Sequence, residues 1–181
     1  MKMKKVQNKQ MGKMQNGAEM QKGSVNALMV ADGEIQNITL NEAEVESLLY
    51  MIEEEKMSRD IYDALYELTG IDSFDVISNS EQKHYDKLLE VASKAGVDTT
   101  TISDEAGVYI NSEIQDLYTT LLAQGSLSLE DAVDVGILIE QTEIADLQST
   151  IEGTDITLLG QVYSHFLDAS QNHLVALESI A

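Results

Sequence analysis

The sequence predicts an all-α protein, a four-helix bundle with one long crossover connection that carries an extra short helix. Three observations predict it. Apolar residues recur at helical steps from Asn41 almost to the C-terminus, and no stretch alternates long enough to make a strand. Proline is absent, so nothing forcibly breaks that register. Start and stop signals cut the register into four long segments and one short one, with a single long gap in the middle.

Residues 1 to about 33 precede the helical register. They are rich in Lys, Gln, Asn, Gly and Met, hold no sustained apolar period, and are expected to form a flexible basic arm outside a bundle domain of residues 34–181. Six methionines there (Met1, Met3, Met11, Met14, Met20, Met29) raise the question of thioether binding of Cu(I). Soluble Met, Gln and Lys mixtures are the commoner content of such arms. No apolar run of secretory length lies in the arm, so no intact signal peptide is expected. Localisation stays open between the cytoplasm and export from a longer precursor.

The first long helix is expected over about 41–69, with Asn41 and Glu44 as a capping box and Gly70 as the stop. The second begins at Asp72 or Ser73 and stops at Gly96. A third long helix begins at Ser128, with Asp131 placed as its capping partner, and ends near Gly153; the fourth runs from Asp155. Each of these pairs is joined by a few residues and must form an antiparallel hairpin. Between the hairpins lie about thirty residues, Val97 to Leu127, with a short helix from Ser112 to Gln124 that Gly125 stops. Such a length can return along a whole bundle, giving the one-crossover topology of ferritin-like folds.

Composition bounds the chemistry. A chain of 181 residues with 43% hydrophobic content is long enough to bury one real core. Cysteine is absent, which excludes disulfides, thiolate zinc sites, iron-sulfur clusters and cysteine nucleophiles within these residues. Any metal must be held by oxygen and nitrogen. The net charge is -21, and six of the eleven basic residues lie in the first 22 positions, leaving an acidic body. That body should repel nucleic acid and anionic membrane, so neither is expected as a partner.

The chemistry is carried by ionisable residues on apolar helix faces. Ile77, Glu81, His84, Leu88 and Val91 step by four and three along one face, so a carboxylate and an imidazole point into the core. On the first helix Leu48, Ile52, Tyr62 and Leu65 share a face with Glu55, and Glu54 is the less favoured inward residue. The helix from Ser128 presents Glu140 and Glu143 with Leu129, Val133, Gly136 and Leu147. The last helix presents Ser170 and His173 with Leu159, Tyr163, Phe166 and Leu177.

Depth brings these groups together. Measured from the end where the first two helices join, Glu55 lies about 21 Å down, Glu81 about 12, His84 about 17, Glu140 about 17, Glu143 about 21 and His173 about 10. Four glutamates and two histidines in one layer match two divalent cations, and buried without metal they would cost several kcal/mol each. Glu81 and one of Glu140 or Glu143 are the expected bridges. Tyr62 and Tyr163 are candidates for a redox or hydrogen-bonding role beside the ions, although inward tyrosines more often serve packing. Asp146 and Arg59 are candidates for orienting a ligand, weighed equally against plain surface ion pairs. His165, off the stripe, is expected to be exposed.

The stretches Tyr50–Tyr66, Ser80–His84, Gly107–Tyr118, Ser128–Asp146 and Ser170–His173 together resemble the ferritin-like family catalogued as domain of unknown function 2202. The resemblance covers about residues 42–177 and leaves out the basic arm. Ferritin-like di-iron proteins carry a glutamate on the first and third helices and a Glu-x-x-His on the second and fourth. Glu81 and His84 match that pattern, but Ser170 stands where the fourth-helix glutamate should be. Glu143, one turn beyond Glu140, is expected to supply the missing carboxylate. The resemblance implies two iron or manganese ions, O2 or hydrogen peroxide as reactant, and oxidase or peroxidase chemistry fed by a separate electron donor. Ferroxidase-type iron handling in a homo-oligomer and a metal-free interaction bundle are the alternative readings.

Overall fold

The computed structural model describes residues 39–152 and 158–181, and the expected arm of residues 1–33 lies outside them. Five helices and no strands occur among the described residues: α1 (Glu42–Thr69), α2 (Asp72–Ala95), α3 (Ser112–Gly125), α4 (Leu129–Glu152) and α5 (Leu158–Glu178). The capping box opens α1, with the Asn41 side chain accepting from the Glu44 N–H at 3.0 Å and Glu44 accepting from the Asn41 N–H at 2.8 Å. Gly70 and Gly96 end α1 and α2 at φ 69° and 72°, a left-handed conformation in which a Cβ is strained. Ser128 accepts from the Asp131 N–H at 3.0 Å and so caps α4. The expected start of the last helix, Asp155, lies outside the described residues.

One stop signal works differently from expectation. Gly125 does not terminate α3 in a left-handed turn; it is the last helical residue, and Ser126 caps the helix in the right-handed region. Gly125 is small for a packing reason, since a Cβ there would come 2.9 Å from Leu65 Cδ2. Leu129 also departs from its expected inward face. As the first residue of α4 it stands at a helix end and is 62% exposed.

The four long helices touch in a ring, α1 to α2, α2 to α5, α5 to α4 and α4 back to α1, and α3 lies against α1 and α4. Two apolar clusters fill the ring. One gathers Ile61, Leu65, Phe74, Ile77, Val135 and Leu177 towards the Gly70 end; the other gathers Leu48, Ile52, Leu88, Leu147, Leu159 and Phe166 towards the opposite end. The layer between them is polar and buried.

The long connection explains why α1 is buried on every side. Residues 51–58, including the run Glu53-Glu54-Glu55-Lys56, are all buried. Glu53 accepts from the N–H groups of Ile110 and Asn111 at 2.6 and 2.7 Å, tying the start of α3 to α1. Lys56, fully buried, donates to Asp60 Oδ2 and to the Glu105 carbonyl, each at 2.8 Å, and lies 4.3 Å from the centre of the Tyr109 ring. Asp60 also accepts from the Tyr109 hydroxyl at 2.7 Å, the Gly107 N–H at 3.0 Å and Arg59. Burial alone would raise the Asp60 carboxyl, but these bonds outweigh it and hold the group below its ordinary value.

Candidate metal centre

Each long helix delivers charge to the polar layer because the same turn that carries its apolar stripe carries Glu or His in place of Leu. Glu55 comes from α1, Glu81 and His84 from α2, Glu140 and Glu143 from α4, and His173 from α5. The carboxylates are at most 2% exposed, and His84 is 9% exposed.

Two donor groups form around one shared residue. Glu55, Glu81 and His84 place one ligand atom each within 4.8 Å of one another, and so do Glu81, Glu140 and His173. Glu81 Oε2 lies 2.8 Å from His84 Nδ1, while Glu81 Oε1 lies 2.9 Å from His173 Nδ1. Glu55 Oε2 adds a second carboxylate 3.1 Å from His84 Nδ1, and Glu140 Oε2 a second one 3.5 Å from His173 Nδ1. A ring nitrogen facing two carboxylates can donate to only one of them.

The His173 contact is close without being a hydrogen bond. His173 Nδ1, Glu55 Oε1, Glu81 Oε1 and Glu140 Oε2 are all buried and lack a partner of hydrogen-bonding geometry. Orphaned donor atoms that converge from both sides are what a cation between them would use. Each group could therefore hold a metal ion, with Glu81 offering one oxygen to each.

Electrostatics shows how strongly these groups perturb one another. Burial, then the charges of Glu81 and Glu143, push the Glu55 carboxyl well above its ordinary value. Burial and the charges of Glu81 and Glu140 do the same to Glu143, and burial raises Glu140. Burial would also raise Glu81, but the contacts of His173 and His84 outweigh it and bring it down to about 2. His173 is opposed by burial and still raised to about 9 by Glu140 and Glu81. Divalent ions would supply the missing positive charge.

Glu143 stands in the same layer but in neither donor group. Ser58 donates a very short hydrogen bond to its Oε1, and Ser170 Oγ lies 3.5 Å from its Oε2. Ser170, one turn before His173 on α5, is thus the residue Glu143 reaches. Tyr62 donates to Glu140 Oε1 at 2.6 Å, with the Gly136 carbonyl 3.0 Å away, so it positions a donor. Tyr163 is fully buried and its hydroxyl touches none of the six donors. Burial and nearby carboxylates raise its phenol to about 12, with Ser47 acting the other way.

Arg59 and Asp146 do not orient a histidine. Arg59 donates to Asp60 and, at 2.7 Å, to Gln82, so it braces α1 against α2. Asp146 faces Glu54, a second α1 glutamate in the layer, which the stripe reading made the less favoured inward residue. Glu54 is 1% exposed and its oxygens lack a partner of hydrogen-bonding geometry; burial, then the like charge and close approach of Asp146, raise its carboxyl well above the ordinary value. Its burial follows from α3 covering α1, which periodicity along α1 alone does not signal. His165 is exposed, as expected. The His84 ring stacks on Phe166 with centroids 4.1 Å apart, which fixes its plane.

Comparison with known proteins places this arrangement among chains of undescribed function. A family model described as "Uncharacterized protein domain (DUF2202)" matches residues 44–179. Uncharacterized protein MJ0754 of Methanocaldococcus jannaschii is 36% identical over 137 residues, which span 76% of this chain and 74% of that protein. The crystal structure titled as hypothetical protein MJ0754 superposes with a TM-score of 0.77 at 34% identity, covering 80% of this chain and 83% of the other.

Proposed function

Since the chain belongs to the DUF2202 family, whose description assigns no activity, its function has to come from the site, and we propose a ferritin-like two-metal carboxylate protein. The single observation that carries this reading is Glu81, whose two oxygens each meet a different histidine. A carboxylate shared in this way is the arrangement that bridges two cations. The ring of four long helices and the connection from Gly96 to Ser128 that carries α3 support the one-crossover architecture.

Glu55 and His84 would hold one ion, Glu140 and His173 the other, and Glu81 both. The donors are carboxylate oxygen and imidazole nitrogen, which suit iron or manganese. When bound, such a pair supplies Lewis-acid and one-electron chemistry towards O2 or peroxide. The chain's own residues do the rest. Tyr62 holds the Glu140 carboxylate through its Oε1, Ser58 and Ser170 hold Glu143 in reach, and the apolar clusters on either side exclude water. With no cysteine in these residues, electrons would come from a separate donor.

Anaerobic titration with Fe(II) tests the reading. Two ions per chain are expected to bind, with an absorbance change on exposure to air. Saturation well below two ions would overturn it.

A further inference from the structure

We propose that the cavity between α1, α3 and α4 is a binding site for a small alkylammonium, with the ammonium on Glu54 and the alkyl body in the apolar pocket. The cavity holds ≈ 120 Å³ and is walled by Met57, Leu117, Leu121, Leu138 and Ile139. Its polar lining is Glu54, Thr142 and Glu143. Thr142 already donates to the Leu138 carbonyl at 2.8 Å, and Glu143 accepts from Ser58. Glu54, at 1% exposure, offers two oxygens without a partner of hydrogen-bonding geometry, and its polar neighbour is another acid, Asp146.

Such a carboxyl is a buried polar group that meets only another acid, and the apolar walls provide no further partner. A guest with a hydrogen-donating head would supply it. The choice of a hydrogen-donating, cationic head follows from the lining: its ionisable groups, Glu54 and Glu143, are both carboxyls, and the neighbour of Glu54 is a third, Asp146. Among the described residues no Lys or Arg lines the cavity, so an anionic guest finds no counter-charge there. Size bounds the body. A dry apolar cavity of about 150 Å³ takes benzene, so this one suits a guest of about five non-hydrogen atoms.

The inference rests on the cavity and Glu54 and does not need the two-metal reading. Guest binding and metal loading are measured separately, so either can fail alone. Because Glu143 borders both the cavity and the donor layer, a guest would lie beside the candidate centre.

The test uses the full chain, stripped of metal with chelator and again after Fe(II) loading, with n-butylammonium and n-butyrate as probes. Saturation-transfer NMR and calorimetry are expected to show saturable binding of n-butylammonium and none of n-butyrate. Methyl-labelled protein should show contacts from the guest to Leu117, Leu121 and Ile139, which locates it without any substitution. Glu54→Gln is expected to weaken binding at least tenfold while the helical circular dichroism is kept. Leu121→Trp, which fills the pocket, should abolish it. Absence of binding, equal binding of n-butyrate, guest contacts elsewhere, or a folded Glu54→Gln protein with unchanged affinity would each overturn the proposal.

Discussion

Glu81 is the residue on which the two donor groups depend, because no other carboxylate among the described residues contacts both histidines. Glu81→Gln keeps the shape and removes the charge, and metal analysis is expected to fall from two ions per chain to one or fewer. A variant that still loads two ions would show that Glu81 is not the bridge. Asp60 carries the structural counterpart, as the only carboxylate among the described residues paired with the fully buried Lys56. Asp60→Asn leaves that ammonium uncompensated and is expected to lower stability by about 3–5 kcal/mol in urea unfolding. At this scale the inward stripes made Glu55, Glu81, His84, Glu140 and His173 legible. Glu54, Lys56 and Asp60 were not, because a charged run on one helix reads as a solvated face until a second segment covers it.

Among the elements, the capping signals at Asn41, Gly70, Gly96 and Ser128 located helix ends because cap chemistry is local. Gly125 shows where a local rule gives way, since its size serves the contact with Leu65. The position of α3 could not be read from the chain, because it depends on bonds that join distant residues. Glu53 makes two of these with the backbone at Ile110 and Asn111. Glu53→Ala is expected to speed amide exchange throughout α3 and to cost about 1.5–3 kcal/mol for each charge-assisted bond lost, as an upper range. Unchanged exchange in residues 112–125 would show that α3 is held by its apolar face alone.

The whole molecule concentrates unbalanced acid in its centre, and this sets a pH dependence for the metal-free protein. Glu54, Glu55, Glu140 and Glu143 are raised above 4.5 primarily by burial, so the folded state is increasingly penalised as pH climbs above that value. His173, raised to about 9 by Glu140 and Glu81 against the effect of burial, gives stability that is complete below 6.5 and lost as pH rises through 9. Glu81 acts oppositely, but its contribution is complete above 4.5 and changes only towards pH 2. From pH 5.5 to 8.5 all the moving contributions have one sign. The melting temperature of chelator-treated protein is expected to be higher at pH 5.5 by roughly 5 °C or more. A flat profile would mean that the layer stays neutralised by some other route. No helix among the described residues is long and apolar enough to cross a membrane.

The division of donors between hairpins makes the two halves of the centre unequal. Glu55, Glu81 and His84 all belong to α1 and α2, whereas Glu140 and His173 must borrow Glu81 from the other hairpin. An ion in the first group would be gripped by a single hairpin, while one in the second would rivet both hairpins to each other. On the proposed two-metal reading, loading order and mechanical cohesion would be linked. The first ion could settle into a preformed half, and the second would lock the tertiary structure shut.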